Sequence, residues 1–394
     1  MEALLWKLNP WWEYKNWEKR DKHIREFNSM KIRWLPKWLG QISLEPFSLN
    51  FVIGPRQVGK TTGLKLLIKK LLSTVETPFQ VLYLDLELFT DLKEFRDALV
   101  YYFKLRESEK TRKAFIVLDE VSNLDGWYRV VKGFIDLGEF ERDVIIATGS
   151  SSINVLKHAE SFAGRRGKGR DVFALPLSFP EFVEVLGLNV KKEYEIREAF
   201  EKYAKTGGFP KPINEIFSED EFIKAFEREL KKVDKSVEVA KKIISTLLDM
   251  VPSALSYHSI AQKIGISHKT VESYIEVFED LFLARVIYYK SHEVVFRKEK
   301  KIMLRDPFIA RAFALWTGKE VRKDFLYEWI VQEHLLRKFG EIYYYRNRYE
   351  IDCIAGDLKV EVKAGKPHRK YPRGVKILDE EELPEFLLEL FMKE

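Results

Sequence analysis

One stretch of the sequence has the residue types and spacing for binding phosphate. The pattern G-x-x-x-x-G-K-[ST] is fitted by Gly54-Pro55-Arg56-Gln57-Val58-Gly59-Lys60-Thr61, which Thr62 follows. Glycines at both ends let backbone N–H groups turn toward phosphate oxygens, and the helix expected from Lys60 adds the positive end of its dipole. Lys60 would contact the β- and γ-phosphates, and the Thr61 hydroxyl would bind Mg²⁺. The loop therefore predicts a site for ATP or ADP with Mg²⁺.

Two acidic residues, Asp119 and Glu120, end the apolar stretch FIVL. In an enzyme with a phosphate loop, Asp119 would hold Mg²⁺ through water, and Glu120 would activate the water that attacks the γ-phosphate. The alternative is that the pair only forms a turn after a strand.

A serine and two arginines are further catalytic candidates. Ser150 follows the apolar stretch DVIIATG and would bond the γ-phosphate or the attacking water, unless it simply caps a helix. Arg165 and Arg166 lie in a basic, glycine-rich loop. From there an arginine would stabilise the transition state in its own or a neighbouring subunit. The alternative is a solvated loop, or one that contacts DNA phosphates.

Apolar runs of strand length alternate with amphipathic helices from Phe47 onward, which predicts a parallel sheet covered on both faces. The preceding residues, 1–45, are aromatic and basic, and the charged stretch 12–32 is expected to form one helix.

Composition limits the class of protein. The chain has 394 residues, which suggests two or three domains, and 67 Lys and Arg against 61 Asp and Glu give a net charge of +6. This charge permits a polyanionic partner without requiring one. A single cysteine, Cys353, excludes an internal disulfide and a multi-cysteine zinc site. Without a recognisable signal peptide or membrane span, a cytoplasmic protein is expected.

The motifs together resemble those of archaeal AAA+ ATPases of the Orc-like/STAND branch. They are NPWW, GPRQVGKTT, IVLDEV, TGSS, PLSFPEF and GGFP. The resemblance implies an α/β, AAA+ type P-loop NTPase with a helical lid, then a winged helix and a small α/β domain like restriction endonucleases. It also implies that GGFP, with Pro210, lies near the adenine. The expected boundaries are 1–176, 177–235, 236–306 and 307–394.

Residues 240–305 fit the implied winged helix by their own pattern. Val271, Ile275, Phe278 and Phe282 recur at helical spacing and are expected in the core. The opposite face and the basic hairpin that follows are candidates for DNA contacts: His268, Lys269, Thr270, Ser273 and Tyr274 on the helix, and Arg297, Lys298, Lys300 and Lys301 in the hairpin. A winged helix that makes only protein contacts is the alternative.

The C-terminal residues include a set that resembles the D…(E/D)-x-K site of nucleases. Glu361 and Lys363 are two apart, so they share a face of a strand, and Asp352 ends the preceding strand. Asp352 and Glu361 would bind Mg²⁺ for phosphodiester cleavage, with Glu328 and Lys363 nearby. Alternatively, the acids are surface charges, or the fold persists in an inactive nuclease.

These features predict an Mg²⁺-dependent ATPase that acts on or with DNA and couples hydrolysis to movement of the winged helix. One alternative is a regulatory switch with slow ATP turnover and a C-terminal half that docks proteins. Another is a DNA nuclease gated by ATP. The expected partners are DNA, further copies of the chain and proteins bound through the C-terminal half, with no membrane.

Overall fold

A computed structural model of the protein describes residues 1–149, 161–250, 253–363 and 371–392. The chain divides into two compact units, Met1–Leu175 and Pro176–Glu394. None of the helices in these described stretches is both long and apolar enough to cross a membrane.

The first unit is built on a five-stranded sheet. Its strands are β1 (Ser48–Ile53), β2 (Val81–Asp85), β3 (Phe115–Asp119), β4 (Val144–Gly149) and β5 (Asp171–Phe173). They lie in the order β2-β3-β4-β1-β5, and every neighbouring pair is parallel. Strands β1, β3 and β4 are buried along their whole length, as expected of a parallel sheet covered on both faces, and most of their residues are apolar. The predicted parallel sheet is confirmed.

Helices connect these strands and precede the first of them. They are α1 (Glu2–Leu8), α2 (Lys22–Ser29), α3 (Lys60–Leu72), α4 (Leu92–Ser108) and α5 (Trp127–Asp136). Helix α3 follows β1, α4 follows β2 and α5 follows β3. The carboxyl ends of β1, β3 and β4 therefore meet at one edge of the sheet, where Ile53 is level with Gly149.

The single helix predicted over residues 12–32 is wrong. Only α2 is α-helical there, and short 3₁₀ turns precede it. The indole N–H groups of Trp11 and Trp12 both donate to the Val81 carbonyl, at 3.0 and 3.1 Å, and the Asp21 side chain caps α2 at the Ile24 N–H. Bonds to β2 thus fix the path of this segment and override its helical charge pattern.

The second unit contains the remaining helices. They are α6 (Phe179–Val185), α7 (Glu193–Thr206), α8 (Pro210–Ile213), α9 (Glu219–Lys232), α10 (Val237–Met250), α11 (Tyr257–Ile264), α12 (His268–Asp280), α13 (Pro307–Thr317), α14 (Lys323–Phe339) and α15 (Leu383–Met392). The Phe209 ring lies 4.9 Å from that of Phe308 and 6.0 Å from that of Phe222. The predicted lid and α13 therefore share one aromatic core.

A mixed sheet completes the second unit. Its strands are β6 (Ala284–Lys290), β7 (Val294–Val295), β8 (Lys301–Leu304), β9 (Tyr343–Arg346), β10 (Glu350–Ala355), β11 (Leu358–Val362) and β12 (Val375–Leu378). The order is β12-β11-β10-β9-β6-β7, with β8 also paired to β6. Because β6 pairs with both β8 and β9, the sheet crosses the boundary predicted at residue 306. The four-part division of the chain stays a prediction.

Candidate functional site

The glycine-rich loop joins β1 to the amino end of α3. Gly59 has φ 93°, in the left-handed region that favours glycine. A Cβ added at Gly54 would lie 1.9 Å from the carbonyl oxygen of Ala174, so no larger residue fits there. The loop therefore packs against the backbone of Ala174 at Gly54 and turns into α3 through the left-handed Gly59.

Lys60 is buried in this loop. Its ammonium donates to the carbonyl oxygens of Gly54 at 2.8 Å and Pro55 at 3.0 Å, so the side chain folds back over the loop. Thr61 and Thr62 are half-buried in the first turn of α3. A glycine-rich loop with an ammonium beside it at a helix amino end fits the phosphates of ATP or ADP, with Mg²⁺.

The two acids lie at the carboxyl end of β3, beside β4. Asp119 is buried, and its carboxylate accepts from the Tyr83 hydroxyl at 2.9 Å and from the Thr148 hydroxyl. The backbone N–H of Glu120 donates to Thr148 Oγ1 at 3.0 Å and to Asp119 Oδ1 at 3.1 Å. These bonds hold Glu120 in the left-handed region, at φ 50°, which is strained for a residue with a side chain.

Three charged residues near Asp119 were missed from the sequence. Lys65 is buried with its ammonium 3.6 Å from Asp21 and 3.4 Å from the centroid of the Tyr83 ring, and burial lowers the Lys65 pKa to about 8. Asp85 lies level with Asp119 on the neighbouring strand, and burial raises the Asp85 pKa to about 6. The sequence contained one signal for Lys65: it follows Leu64 among the buried residues of α3.

The arginines of the basic loop lie at the other end of the sheet from the phosphate loop. Arg165 pairs with Asp136, the last residue of α5, at 2.5 Å, and Arg166 pairs with Asp171 at 2.7 Å. The carbonyl of Arg166 accepts from the N–H of Leu49, near the start of β1. Four residues of strand lie between Leu49 and Gly54, and these five residue steps span about 16 Å. This geometry contradicts a catalytic contact within the same subunit, and one to a neighbouring copy stays a prediction.

The two remaining predicted residues of the nucleotide site are Ser150 and Pro210. Ser150 lies outside the described residues. Pro210 begins α8, after two glycines that pack tightly within the second unit. A Cβ at Gly207 would lie 1.9 Å from the Asp306 carboxylate, which also accepts from the Gly208 N–H at 3.0 Å. These contacts give GGFP a structural role, and its place near the adenine stays a prediction.

Helices α10–α12 and the antiparallel pair β6–β8 have the order of elements expected of a winged helix, an assignment that stays a prediction. The four residues predicted in the core, Val271, Ile275, Phe278 and Phe282, are buried. Lys269, Arg297 and Lys298 are exposed, whereas Thr270, Ser273 and Lys300 are half-buried. The Ser273 hydroxyl accepts from Lys235 at 2.8 Å.

Two of the predicted DNA contacts are wrong. Tyr274 is buried, and its hydroxyl accepts from the backbone N–H of Ser236 at 2.8 Å. Lys301 is 3% exposed, and its ammonium lies among carboxylates of the same unit. Neither side chain is available to a phosphate of DNA.

The predicted nuclease residues do converge. The Lys301 ammonium lies 2.9 Å from Glu328, 3.0 Å from Glu350 and 2.7 Å from Asp352. A cavity of about 280 Å³ adjoins them, and its charged lining comprises Lys301, Asp324, Glu328, Glu350, Asp352 and Lys363. Beside it, Glu361 accepts from Lys363 and, at 2.9 Å, from the Tyr371 hydroxyl. The sequence predicted Glu328, Asp352, Glu361 and Lys363 for this cluster, but not Lys301, Asp324, Glu350 or Tyr371.

Burial dominates the electrostatics of the cluster. It raises the pKa of Glu328 to about 8 and that of Glu361 to about 7, and in both the neighbouring Asp352 adds to the effect. Burial opposes the charge of Lys301, yet Glu328, Asp352 and Glu350 raise its pKa well above the usual value. Among the described residues, no group of three or more His, Cys, Asp or Glu is arranged to hold a metal ion.

Comparison with known families and structures matches part of each unit. Residues 47–183 match the model of an AAA domain, and residues 197–320 match a domain of unknown function (DUF8612). With the five-stranded parallel sheet, the first match identifies an AAA+ type P-loop NTPase fold. No curated protein matches the sequence.

Two solved structures are similar at low identity. The Aeropyrum pernix Orc1 protein in complex with DNA is 13% identical, covering 68% of this chain and 86% of that one, with a TM-score of 0.34. PCH-2 of C. elegans is 14% identical over 40% of each chain, with a TM-score of 0.24. Similarities of this size carry no conclusion about partners or activity.

Proposed function

We propose that the first unit, which carries an AAA domain, binds ATP with Mg²⁺ and hydrolyses the γ-phosphate, and that the protein acts on or with DNA. The observation that carries the proposal is that the phosphate loop and an acidic residue lie at the same edge of the parallel sheet. The glycine-rich loop with Gly54 and Gly59 lies there after β1, and the buried Asp119 lies there at the end of β3. Phosphate binding and in-line water attack need these groups at one place.

Each residue has a separate role in this proposal. Lys60 binds the β- and γ-phosphates after exchanging its bonds to the loop carbonyls for bonds to phosphate oxygens. Thr61 and Asp119 would hold Mg²⁺, which supplies charge that offsets the phosphates. Glu120 accepts the proton of the attacking water. Thr148 is a positioning residue, because its hydroxyl bonds both the Asp119 carboxylate and the Glu120 N–H.

DNA is proposed as the partner of the second unit on the basis of its exposed cations. Lys269 at the start of α12 and Arg297 and Lys298 before β8 are free of buried ion pairs and face solvent. The half-buried Lys300 lies in the same hairpin. Cations on a helix and an adjacent hairpin suit contacts to DNA phosphates. Nucleotide state in the first unit would then change the orientation of this surface. Contact of Arg165 or Arg166 with a neighbouring copy would make the active form an oligomer.

Two variants test the ATPase proposal. Lys60→Ala should abolish ATP binding, because the loop loses its charge for the phosphates. Glu120→Gln should retain ATP affinity and lose hydrolysis, because the amide keeps the shape but cannot accept the proton. A matched control is Glu87→Gln, since Glu87 is exposed and lies just after β2. This variant should change neither ATP affinity nor ATP turnover. Unchanged turnover in Lys60→Ala would refute the site.

The rate of ATP turnover also distinguishes an ATPase that acts with DNA from a regulatory switch. A DNA-linked ATPase should hydrolyse ATP faster when DNA is added, whereas a switch should hydrolyse slowly and independently of DNA. An absence of DNA stimulation, together with tight ATP retention, would favour the switch and its protein-docking C-terminal half.

A further inference from the structure

We propose that Lys301 is a resident cation of the carboxylate cluster in the second unit, occupying the position that a divalent metal would otherwise take. This inference concerns residues 253–363 and does not depend on ATP hydrolysis. It replaces the predicted Mg²⁺ site with an internal ammonium, which would make the nuclease-like fold metal-free in the native protein.

The Lys301 ammonium lies among acidic side chains that come from two other elements of the second unit. Lys301 comes from β8, Glu328 from α14, and Glu350 and Asp352 from β10. Three carboxylates lie within 3.0 Å of one nitrogen that carries three hydrogens. The ammonium donates hydrogen bonds to Glu328 and Asp352, and the Glu350 carboxylate adds an ion pair.

Two of these carboxylates, Asp352 and Glu328, also accept from other donors. The second oxygen of Asp352 accepts from the Val362 N–H at 2.9 Å. The oxygen of Glu328 that meets Lys301 also accepts from the Gln332 amide at 2.8 Å, and the same amide donates to the Asp352 carbonyl at 3.2 Å. These bonds hold Asp352 and Glu328 in the orientations in which they accept from the Lys301 ammonium.

The backbone fixes Lys301 in this place. Residue 301 pairs with Ile287 of β6, and β6 pairs in turn with β9, which is followed by the strand of the acids. This register places Lys301 on β8 within reach of the acids on α14 and β10. Mg²⁺ needs oxygens at about 2.0–2.1 Å, so a bound metal would have to take oxygens from the ammonium and leave it buried without a partner.

The test is a Mn²⁺ titration of the nucleotide-free full chain, with free Mn²⁺ measured by electron paramagnetic resonance. Wild type and Asp352→Asn should bind equally weakly, because neither has a metal site in the cluster. Lys301→Met should uncover a site for one ion, with an affinity gain of at least about tenfold, because free carboxylates of this kind reach submillimolar affinity. Adding Asp352→Asn to Lys301→Met should remove the gain.

A second variant guards against failure to fold, since Lys301→Met leaves several acids buried without their cation. Lys301→Met with Glu328→Gln removes the ammonium together with one of its acid partners and leaves Asp352 and Glu350 as ligands. Its thermal transition shows whether it is folded. A folded variant that gains no Mn²⁺ would overturn the proposal. So would Mn²⁺ binding by wild type that Asp352→Asn abolishes, a comparison that decides the matter even if neither Lys301 variant folds.

Discussion

His334 predicts a loss of stability in mild acid. The ring is fully buried in α14, where Nε2 accepts from the backbone N–H of Phe179 at 2.8 Å and Nδ1 lies 2.7 Å from the Ile330 carbonyl. Nδ1 must therefore carry the proton that donates to Ile330, and Nε2 must have none. The ring is neutral in this arrangement, and a second proton would break the bond to the first turn of α6.

Burial, with the nearby Arg337 adding to it, lowers the pKa of His334 to about 4 from 6.5, while Glu333 and the bond to Ile330 oppose the shift. The unfolded chain therefore binds a proton below pH 6.5 that the folded chain refuses until about pH 4. Stability from this group is complete above pH 6.5 and falls through this window. Between pH 7.5 and pH 4.5 the loss is about 2.5 kcal/mol, from 1.36 kcal/mol per pKa unit.

The measurement is urea denaturation of wild type and His334→Gln at both pH values, followed by tryptophan fluorescence. Glutamine offers an oxygen to the Phe179 N–H and does not titrate. Other titrating groups, including Asp306, whose pKa burial raises to about 7, are the same in both proteins and cancel in the comparison. The variant should lose about 2.5 kcal/mol less than wild type on acidification. Equal losses in the two proteins would refute the neutral, buried histidine.

Two further predictions concern hydrolysis and DNA. Thr148→Val should lower ATP turnover by about tenfold or more and change ATP affinity little, because one bond to a charged group is lost at the catalytic edge; unchanged turnover would show that Thr148 does not position the acids. Replacing Arg297, Lys298 and Lys300 together by Ala should flatten the slope of log affinity for DNA against log salt, because fewer phosphates are neutralised. The control replaces three exposed lysines of the same unit, Lys191, Lys224 and Lys231. An equal slope in the hairpin variant and wild type would exclude this surface.

The sequence predicted the parallel sheet and the phosphate loop because both are local. The core strands are short, mostly apolar segments, and residues 54–61 hold the whole phosphate-binding motif in consecutive positions. The path of residues 12–32 could not be predicted in this way, because Trp11 and Trp12 bond to Val81 far along the chain. Charge pattern within the segment holds no information about that partner.

Lys301 is the clearest case of a residue that the sequence misplaced. In KEKKIMLR it is one of several cations beside a turn, and nothing local distinguishes it from Lys300. The alternation of strand β8 turns Lys301 into the unit and leaves Lys300 half-buried at the surface. Which lysine faces inward depends on the register with β6, and that register is set by long-range pairing.

The same pairing limits how nucleotide binding can act on DNA in the proposed function. Strand β6 is shared between the hairpin and the C-terminal sheet, and Lys301 ties that hairpin to α14 and β10 through three carboxylates. Moving residues 236–306 alone would break the β6–β9 pairing and leave a buried ammonium among displaced partners, which costs several kcal/mol. Movement of the second unit as a whole avoids both costs. We therefore expect a nucleotide-driven change to preserve the Lys301 contacts. Two distance labels, both placed within the second unit, should then report the same separation with and without ATP, and a changed separation would refute this expectation.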